Sequence, residues 1–276
     1  MEFASLLRFR SSGFTLEKND LPNAIREGQT LIETFPGNPT YVLNLVEILY
    51  NNARLDEALT LVSAEIQKYP NQPELQMAAY TLYKESGEVA KANNFLISAI
   101  GSPDLDGEVK AKTYKSMLAE MQTSQRDGLL DQMESLMLEL NANDPMVLEV
   151  IGDRKKTTGD IPGAMDFYKK SLQNQPNNAP LLEQVILNSF GDSPDFAEIE
   201  TYTIMGVDEF PEAPEFWFYD GVVKSARKKD SIAVISLEKA IELNAGKKFT
   251  TGSGSFWILG QLTLQLGRKR FGICLL

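Results

Sequence analysis

Few side-chain types in this 276-residue sequence could carry out nucleophilic or acid–base chemistry. The chain has no histidine and a single cysteine, Cys274. The sequence therefore excludes serine–histidine–aspartate and cysteine–histidine nucleophilic sites, the HExxH zinc motif, and a zinc site built from cysteine and histidine. Carboxylate, lysine and tyrosine chemistry remain open.

Pairs of carboxylates occur at Asp208/Glu209 and Asp192/Asp195. A general acid and a general base would require burial to shift the pKa of one partner. These pairs lie in predicted turns between helices, which favours exposure to water. We expect no catalytic residue and a protein that is not an enzyme.

Two short segments match ligand-binding loops only in part. Residues 252–257 (Gly-Ser-Gly-Ser-Phe-Trp) begin like a dinucleotide-binding loop, but they lack its last glycine and a preceding strand. Residues 104–107 (Asp-Leu-Asp-Gly) lack the third acidic ligand and the closing glutamate of a calcium loop. We predict a linker and a turn, with no cofactor and no metal.

The elements that would position any site are set by a repeat. Ala24, Ala58 and Ala92 are 34 residues apart, and Ala164 and Ala233 return in the same phase. Prolines follow these positions by twelve residues at Pro36, Pro70 and Pro176, while Ile199 and Leu130 take the alanine position elsewhere. A period of this length is typical of stacked helix–turn–helix units.

Each unit has a physical interpretation. A first helix carries apolar residues at helical spacing, as at Tyr41, Leu45 and Ile48. A second helix opens on acidic residues such as Asp56 and Glu57, which suit the positive end of the helix dipole. The small residues fall where the two helices cross closely. Neighbouring units must stack, because one pair buries too little apolar surface.

These positions resemble the tetratricopeptide repeat family over about residues 5–246. Residues 145–178 match best, through Leu148, Ile151, Gly152, Gly159, Ala164, Tyr168, Leu172 and Pro176. The resemblance implies an all-α fold, a right-handed superhelical array of antiparallel helix pairs, with about seven units and a partial eighth. The units are 5–38, 39–72, 73–107, 108–144, 145–178, 179–213 and 214–247, within an array spanning 1–247.

In this family the first helix of each unit lines a concave groove, and the resemblance implies which side chains would line it here. They are Asn44, Glu47, Tyr50, Met77, Thr81, Lys112, Lys115, Glu149, Asp153, Glu183, Phe190, Phe218, Tyr219 and Val222. Exposed aromatic residues among them would suit a peptide anchor. The alternative is that they pack against the next unit or only decorate the surface.

Chaperone-binding members of the family hold a terminal carboxylate with lysine and asparagine from three consecutive units. Asn44 fits one such position, but Glu74 and Ala78 stand where basic residues are needed. Lys112 fits another position and Ser116 does not. We therefore expect no chaperone-tail binding of that kind.

The charge balance restricts the class of partner. The chain has 27 basic and 38 acidic residues, a formal net charge of −11. This disfavours nucleic acids and anionic membranes, which bind basic surfaces. No apolar run is long enough to span a membrane, and the first residues lack the features of a signal peptide. We expect a cytoplasmic protein, or a periplasmic one if a signal peptide has been removed.

The last residues differ in composition. Every acidic residue lies at or before Glu242, and residues 248–276 combine a linker with an incomplete eighth unit around Phe256, Leu259 and Gly260. A half-unit with an apolar end cannot cap the array, since terminal repeats need a polar outer face. We expect a truncated or altered end of a longer array, or an end that forms a homodimer.

The sequence therefore favours a non-enzymatic scaffold or adaptor that holds a peptide or protein segment in its concave groove. The alternative is a structural or assembly component that binds through its convex face or its ends.

Overall fold

The computed structural model describes residues 21–120, 123–191 and 193–244, with only the backbone of Gln125. These residues form thirteen α-helices and no strand, so the all-α expectation is confirmed for them. The helices are α1 (Leu21–Thr34), α2 (Pro39–Asn51), α3 (Leu55–Lys68), α4 (Pro73–Glu85), α5 (Val89–Ile100), α6 (Gly107–Leu118), α7 (Ser124–Leu140), α8 (Pro145–Thr157), α9 (Ile161–Asn174), α10 (Ala179–Ser189), α11 (Phe196–Glu209), α12 (Pro214–Ala226) and α13 (Asp230–Asn244).

The chain divides into two compact units, one ending at Ile151 and the other beginning at Gly152. In the first unit, α1 precedes the hairpins α2/α3, α4/α5 and α6/α7. The second unit contains the end of α8 with α9, and the hairpins α10/α11 and α12/α13. In each hairpin a short turn joins two helices that pack side by side. This architecture confirms the resemblance to tetratricopeptide repeats at the level of the fold.

Small residues lie where the paired helices touch. Ala58, Ala92, Ala164 and Ala233 are all buried, with at most 2% of their surface exposed. In the second unit, a Cβ atom added to Gly152 would lie 2.5 Å from Cε1 of Tyr168. Such a distance is a clash, which explains why a glycine stands at position 152.

The turn inside four of the hairpins has the same backbone conformation. Five residues before the small residue, φ is +59° at Ala53, +83° at Gly87, +87° at Gly159 and +61° at Lys228. The left-handed region suits glycine and is strained for other residues. This explains the two glycines in that position and marks the other two turns as strained.

Prolines and side-chain caps start the first helices. Pro39, Pro73 and Pro214 lie in the first turn of their helices, where the missing N–H costs no hydrogen bond. The Asn38 side chain accepts a hydrogen bond from the Thr40 N–H at 3.0 Å. Asp106 caps α6 in the same way, accepting from the Glu108 N–H at 2.7 Å. The predicted turn at residues 104–107 is thus a helix start.

Each unit has its own apolar core. Leu45, Val46 and Leu75 belong to the core of the first unit. Leu182 and Phe216 belong to the core of the second unit. The predicted first helix of the first repeat, the segment 248–276 with its loop at 252–257, Asp192 and Cys274 lie outside the described residues.

Candidate partner-binding surface

In the first unit, the first helices of successive hairpins lie next to each other. α2 packs directly against α4. The Lys84 ammonium, on α4, donates to Oε1 of Glu120 at 2.5 Å, just past the end of α6. Residues 36 positions apart therefore meet, as expected when neighbouring repeats stack.

The first helices of the described hairpins are α2, α4, α6, α8, α10 and α12. The side chain of the ninth residue is accessible to water in all of them except α12. These residues, which we call the ninth column, are Glu47, Thr81, Lys115, Asp153 and Leu187, and each is half-buried or exposed. Val222 holds the same place in α12 but is only 7% exposed. The accessible members differ in charge and polarity.

The remaining predicted residues of the first unit divide into accessible and buried side chains. Asn44 and Tyr50 on α2 and Glu149 on α8 are half-buried. Met77 is only 8% exposed and contributes to packing. Asn44 and Tyr50 are thus more accessible to water than Met77.

Lys112 and Lys115 on α6 are exposed. Lys112 forms an ion pair with Glu108 one turn earlier. Because α6 begins at Gly107, its fifth residue is the buried Ala111, and Lys112 stands one position later than the repeat predicted. Lys112 therefore shares its place with Asn44 rather than with Met77.

Lys84 makes polar contacts with two neighbours on this surface, Tyr80 and Glu120. Partial burial lowers the pKa of Lys84, but hydrogen bonds to Glu120 and to the Tyr80 hydroxyl and the attraction of both groups outweigh burial, so the pKa is raised above 10.5. Burial raises the pKa of Tyr80 above 10.0. Lys84 is thus a paired cation and is not poised for proton transfer.

In the second unit the predicted aromatic anchors are buried, so the expectation of exposed aromatics in the groove is wrong for them. Phe218 is 6% exposed and Tyr219 is 2% exposed, and both belong to the apolar core. The Tyr219 hydroxyl donates to Oε1 of Glu183 at 2.7 Å and so ties α12 to α10. A helical period places side chains on a face, but packing between helices decides which members of that face reach solvent.

Two further predicted residues also make contacts within the second unit. The Tyr168 hydroxyl donates to Oδ1 of Asp153 at 2.9 Å. Phe190 is half-buried, with its ring 6.3 Å from that of Phe196 in an edge-on arrangement. Asp153 and Phe190 thus each make a structural contact and remain partly accessible to water.

The carboxylate pairs noted in the sequence contain exposed residues and one residue that caps a helix. Asp208 and Glu209 are exposed at the end of α11. Asp195 caps α11, where its side chain accepts from the N–H groups of Ala197 and Glu198. No group of three or more potential metal ligands occurs in the described part of the chain. Within the same residues, no helix has both the length and the apolar character required to cross a bilayer.

Sequence reasoning did not predict two buried charged groups. Asp220 is fully buried and accepts hydrogen bonds from Lys224 at 2.6 Å and Ser236 at 2.5 Å. Lys110 is also fully buried and donates to Oδ1 of Asn141 at 2.8 Å. Neither residue stands out in the sequence, because charged residues in an amphipathic helix normally face solvent.

No family model matches the sequence. No curated protein matches it either. Among solved structures, a tetratricopeptide repeat protein from Parabacteroides merdae is similar, with 19% identity, coverage of 89% of this chain and 93% of that chain, and a TM-score of 0.38. The C-terminal part of a repeat-containing protein of the same class from Cytophaga hutchinsonii has 14% identity, coverage of 73% and 79%, and a TM-score of 0.45. The fold assignment rests on the chain's own helical hairpins.

Proposed function

We propose that this array of helical hairpins, which resembles the tetratricopeptide repeat family, is a non-enzymatic scaffold that binds a peptide or protein segment along its first helices. The observation that carries the proposal is the part of the ninth column in the first unit, where α2, α4 and α6 present the accessible side chains of Glu47, Thr81 and Lys115 at matching positions. An extended or helical segment can contact such a column at regular intervals.

The composition supports a polypeptide partner. With 38 acidic and 27 basic residues, the chain repels nucleic acids and anionic lipids more than it repels a protein segment. We further propose that this adaptor acts in the cytoplasm.

The burial of Phe218 and Tyr219 decides which residues can test the proposal. Removing either ring would damage the core of the second unit, so loss of binding would not identify a binding surface. Thr81 in the first unit and Leu187 in the second are better probes, because both are accessible members of the ninth column.

A random peptide library selected on the whole chain supplies a ligand for this test. Calorimetry then compares the wild type with Thr81→Arg and Leu187→Arg. We expect one or both variants to bind the selected peptide at least about tenfold more weakly. The long arginine side chain would block the contact, and burying its charge beneath the peptide would be unfavourable.

The chain offers matched controls on second helices. Thr60→Arg on α3 makes the same change as Thr81→Arg at an exposed position outside the first helices. Ile204→Arg on α11 matches Leu187→Arg, since the two apolar residues are 44% and 37% exposed. Equal losses in probes and controls would contradict binding along the first helices.

A second candidate function, assembly through the end of the array, is favoured by the surface of α13. Ile241 is 66% exposed, whereas at the same place in earlier second helices Ile100 and Leu172 are fully buried and the other three residues are half-buried. An isoleucine more exposed than all its equivalents suits contact with a second copy of the chain.

Sedimentation at increasing concentration tests this candidate. Self-association should disappear in Ile241→Asp and persist in Ile204→Asp, which places the same charge on a different exposed isoleucine. A wild-type chain that remains monomeric, or an assembly that survives Ile241→Asp, would count against assembly through α13.

A further inference from the structure

The exposed side of α13 is more apolar than the matching side of the other second helices. Ile235, two residues after Ala233, is 62% exposed. At the same place in α3, α5, α7, α9 and α11 the chain has polar, exposed residues, namely Thr60, Asn94, Gln132, Asp166 and Thr201. Ile241 is 66% exposed as well. Exposed apolar side chains that lie together mark a place of contact with another segment or protein.

Carboxylates lie between these two isoleucines. On a helix, residues three or four apart are neighbours. Glu238 is therefore a neighbour of both isoleucines and of Glu242, and all four side chains are exposed. Glu242 pairs with Lys239 at 3.1 Å, and an exposed ion pair of this kind is weak enough to be replaced. The four residues Ile235, Glu238, Ile241 and Glu242, which we call the outer face of α13, favour an occupant that is both apolar and basic.

The chain supplies such a segment after α13, which is the last helix of the described residues. Residues 245–276 contain five basic residues and no acidic one. Within them, seven of the eleven residues at 256–266 are apolar, namely Phe256, Trp257, Ile258, Leu259, Leu262, Leu264 and Leu266. The cations Arg268, Lys269 and Arg270 follow. Residues 256–270, which we call the tail segment, therefore match the outer face of α13 in both apolar character and charge.

The tail segment can reach the outer face of its own chain. Residues 245–255, eleven in all, connect it to α13. A random coil of eleven residues spans about 18 Å on average, whereas the 15 residues of α13 extend over about 22 Å. A tether of this length gives an effective concentration in the millimolar range. Docking within one chain is therefore favoured over the same contact between two copies at lower protein concentrations.

We propose that the tail segment docks on the outer face of α13 of the same chain. Its apolar side chains cover Ile235 and Ile241, and the cations of residues 268–270 lie beside Glu238 and Glu242. Burial of apolar surface supplies most of the free energy of this contact, and the opposite charges fix its orientation.

Docking of the tail segment regulates assembly through α13, because both contacts use Ile241. A second copy of the chain has to displace the tail segment before it reaches α13. Self-association through α13 should therefore begin at a higher protein concentration when the tail segment is docked. The ninth column lies on other helices, so peptide binding there does not depend on this contact.

The single cysteine of the chain, Cys274, lies close to the tail segment in the sequence and provides the direct test. A spin label attached to Cys274 of the whole chain, labelled with nitrogen-15, broadens the amide signals of residues near it. We expect broadening at Ile235, Glu238 and Ile241 but not at Asp166 on α9, relative to the same sample after reduction of the label. A mixture of spin-labelled nitrogen-14 chain and unlabelled nitrogen-15 chain should show no broadening at low concentration, because the contact lies within one chain.

Variants show which side chains form the contact. Ile235→Asn and Ile241→Asn should each shift the equilibrium toward the undocked state about tenfold, because each replaces an apolar contact with polar surface at constant charge. Ile204→Asn makes the same change at a 44% exposed position of α11 and should leave the broadening unchanged. The combined change Arg268→Gln, Lys269→Gln and Arg270→Gln should weaken docking about two- to fivefold, as exposed ion pairs allow.

Four results would overturn the proposal. These are the absence of broadening on the outer face of α13, broadening only in the mixed sample, equal broadening in Ile241→Asn and Ile204→Asn, or unchanged docking in the glutamine variant. Broadening only in the mixed sample would place the contact between two copies of the chain. The three substituted isoleucines are all exposed, so each variant should fold, and thermal unfolding verifies this. The wild-type measurement needs no substitution and decides the outcome on its own.

Discussion

At the scale of single residues, two of the turns between paired helices each contain one residue with a strained backbone conformation. Ala53 and Lys228 have φ values of +59° and +61°, at the position where Gly87 and Gly159 stand in other hairpins. We expect Ala53→Gly and Lys228→Gly each to stabilise the protein by about 0.5–1 kcal/mol, because relief of left-handed strain exceeds the added chain entropy. Chemical denaturation measures the change.

Gly87→Ala provides the opposite change at an equivalent place. A Cβ atom there would meet no neighbour within 4 Å, so any effect reports the backbone conformation alone. We expect a loss of about 1 kcal/mol. Stabilisation by Gly87→Ala, or destabilisation by Ala53→Gly, would contradict the strain assigned to this turn.

Lys110 gives the first unit a specific dependence on pH. Burial lowers its pKa below 10.5, although the nearby Asp144 opposes the shift. Between the lowered pKa and 10.5, the unfolded chain holds a proton that the folded chain has lost, so the contribution of Lys110 to stability rises with pH.

The comparison of wild type with Lys110→Met isolates this contribution. As the pH rises toward 10.5, the stability of the wild type should rise relative to the variant. Lys112→Met, at an exposed position of the same helix, should show no such trend. A stability difference between wild type and Lys110→Met that does not change with pH would contradict the lowered pKa.

Among single residues, the sequence predicted the positions of the turn glycines but not the burial of the aromatic side chains expected in the groove. Gly87 and Gly159 were visible as a column in the repeat, and the structure supplies their reason in a positive φ. Phe218 and Tyr219 were expected to be exposed because they fall on the first-helix face, yet both are buried. Residue spacing cannot reveal how far a neighbouring helix covers that face.

At the scale of elements, one buried carboxylate joins three helices of the second unit. Asp220 on α12 accepts from Lys224 on the same helix and from Ser236 on α13, and it lies 3.5 Å from the Thr203 hydroxyl on α11. Glu200 on α11 is 6% exposed and pairs with Lys229 at 2.7 Å in the turn before α13. These contacts fix how the last hairpin packs on α11.

Removal of the Asp220 carboxylate should therefore destabilise the second unit. We expect Asp220→Ala to cost about 3 kcal/mol, because it leaves the Lys224 ammonium and the Ser236 hydroxyl without their acceptor. Asp208→Ala removes an exposed carboxylate and should change stability by less than about 0.5 kcal/mol. Equal effects of the two variants on the urea midpoint would show that the buried network contributes nothing.

This network could not have been predicted from the sequence. Asp220 precedes Gly221 in an apolar stretch, and nothing in that pattern indicates an acceptor for residues on two other helices. The helices themselves were predictable, since apolar spacing, prolines and acidic first turns agreed with one another. Contacts between polar side chains on separate elements depend on packing that no local pattern contains.

At the scale of the whole molecule, the 34-residue period led to the helical hairpins, and the structure adds which parts of their surface are accessible. The small residues of that period are buried between paired helices, as Ala58 and Ala164 show. The ninth column and the outer face of α13 emerged only from the exposure of individual side chains. The two surfaces make separate predictions, since a spin label at Cys274 tests the outer face of α13 and a selected peptide tests the first helices.

The most direct test of the proposed function is the location of a bound peptide. A selected peptide with a spin label broadens the amide signals of residues that lie near it. We predict that the signals of Glu47, Thr81 and Lys115 on α2, α4 and α6 broaden before those of α3 and α5. Broadening centred on the second helices, with the ninth column unaffected, would contradict a scaffold that binds its partner along the first helices.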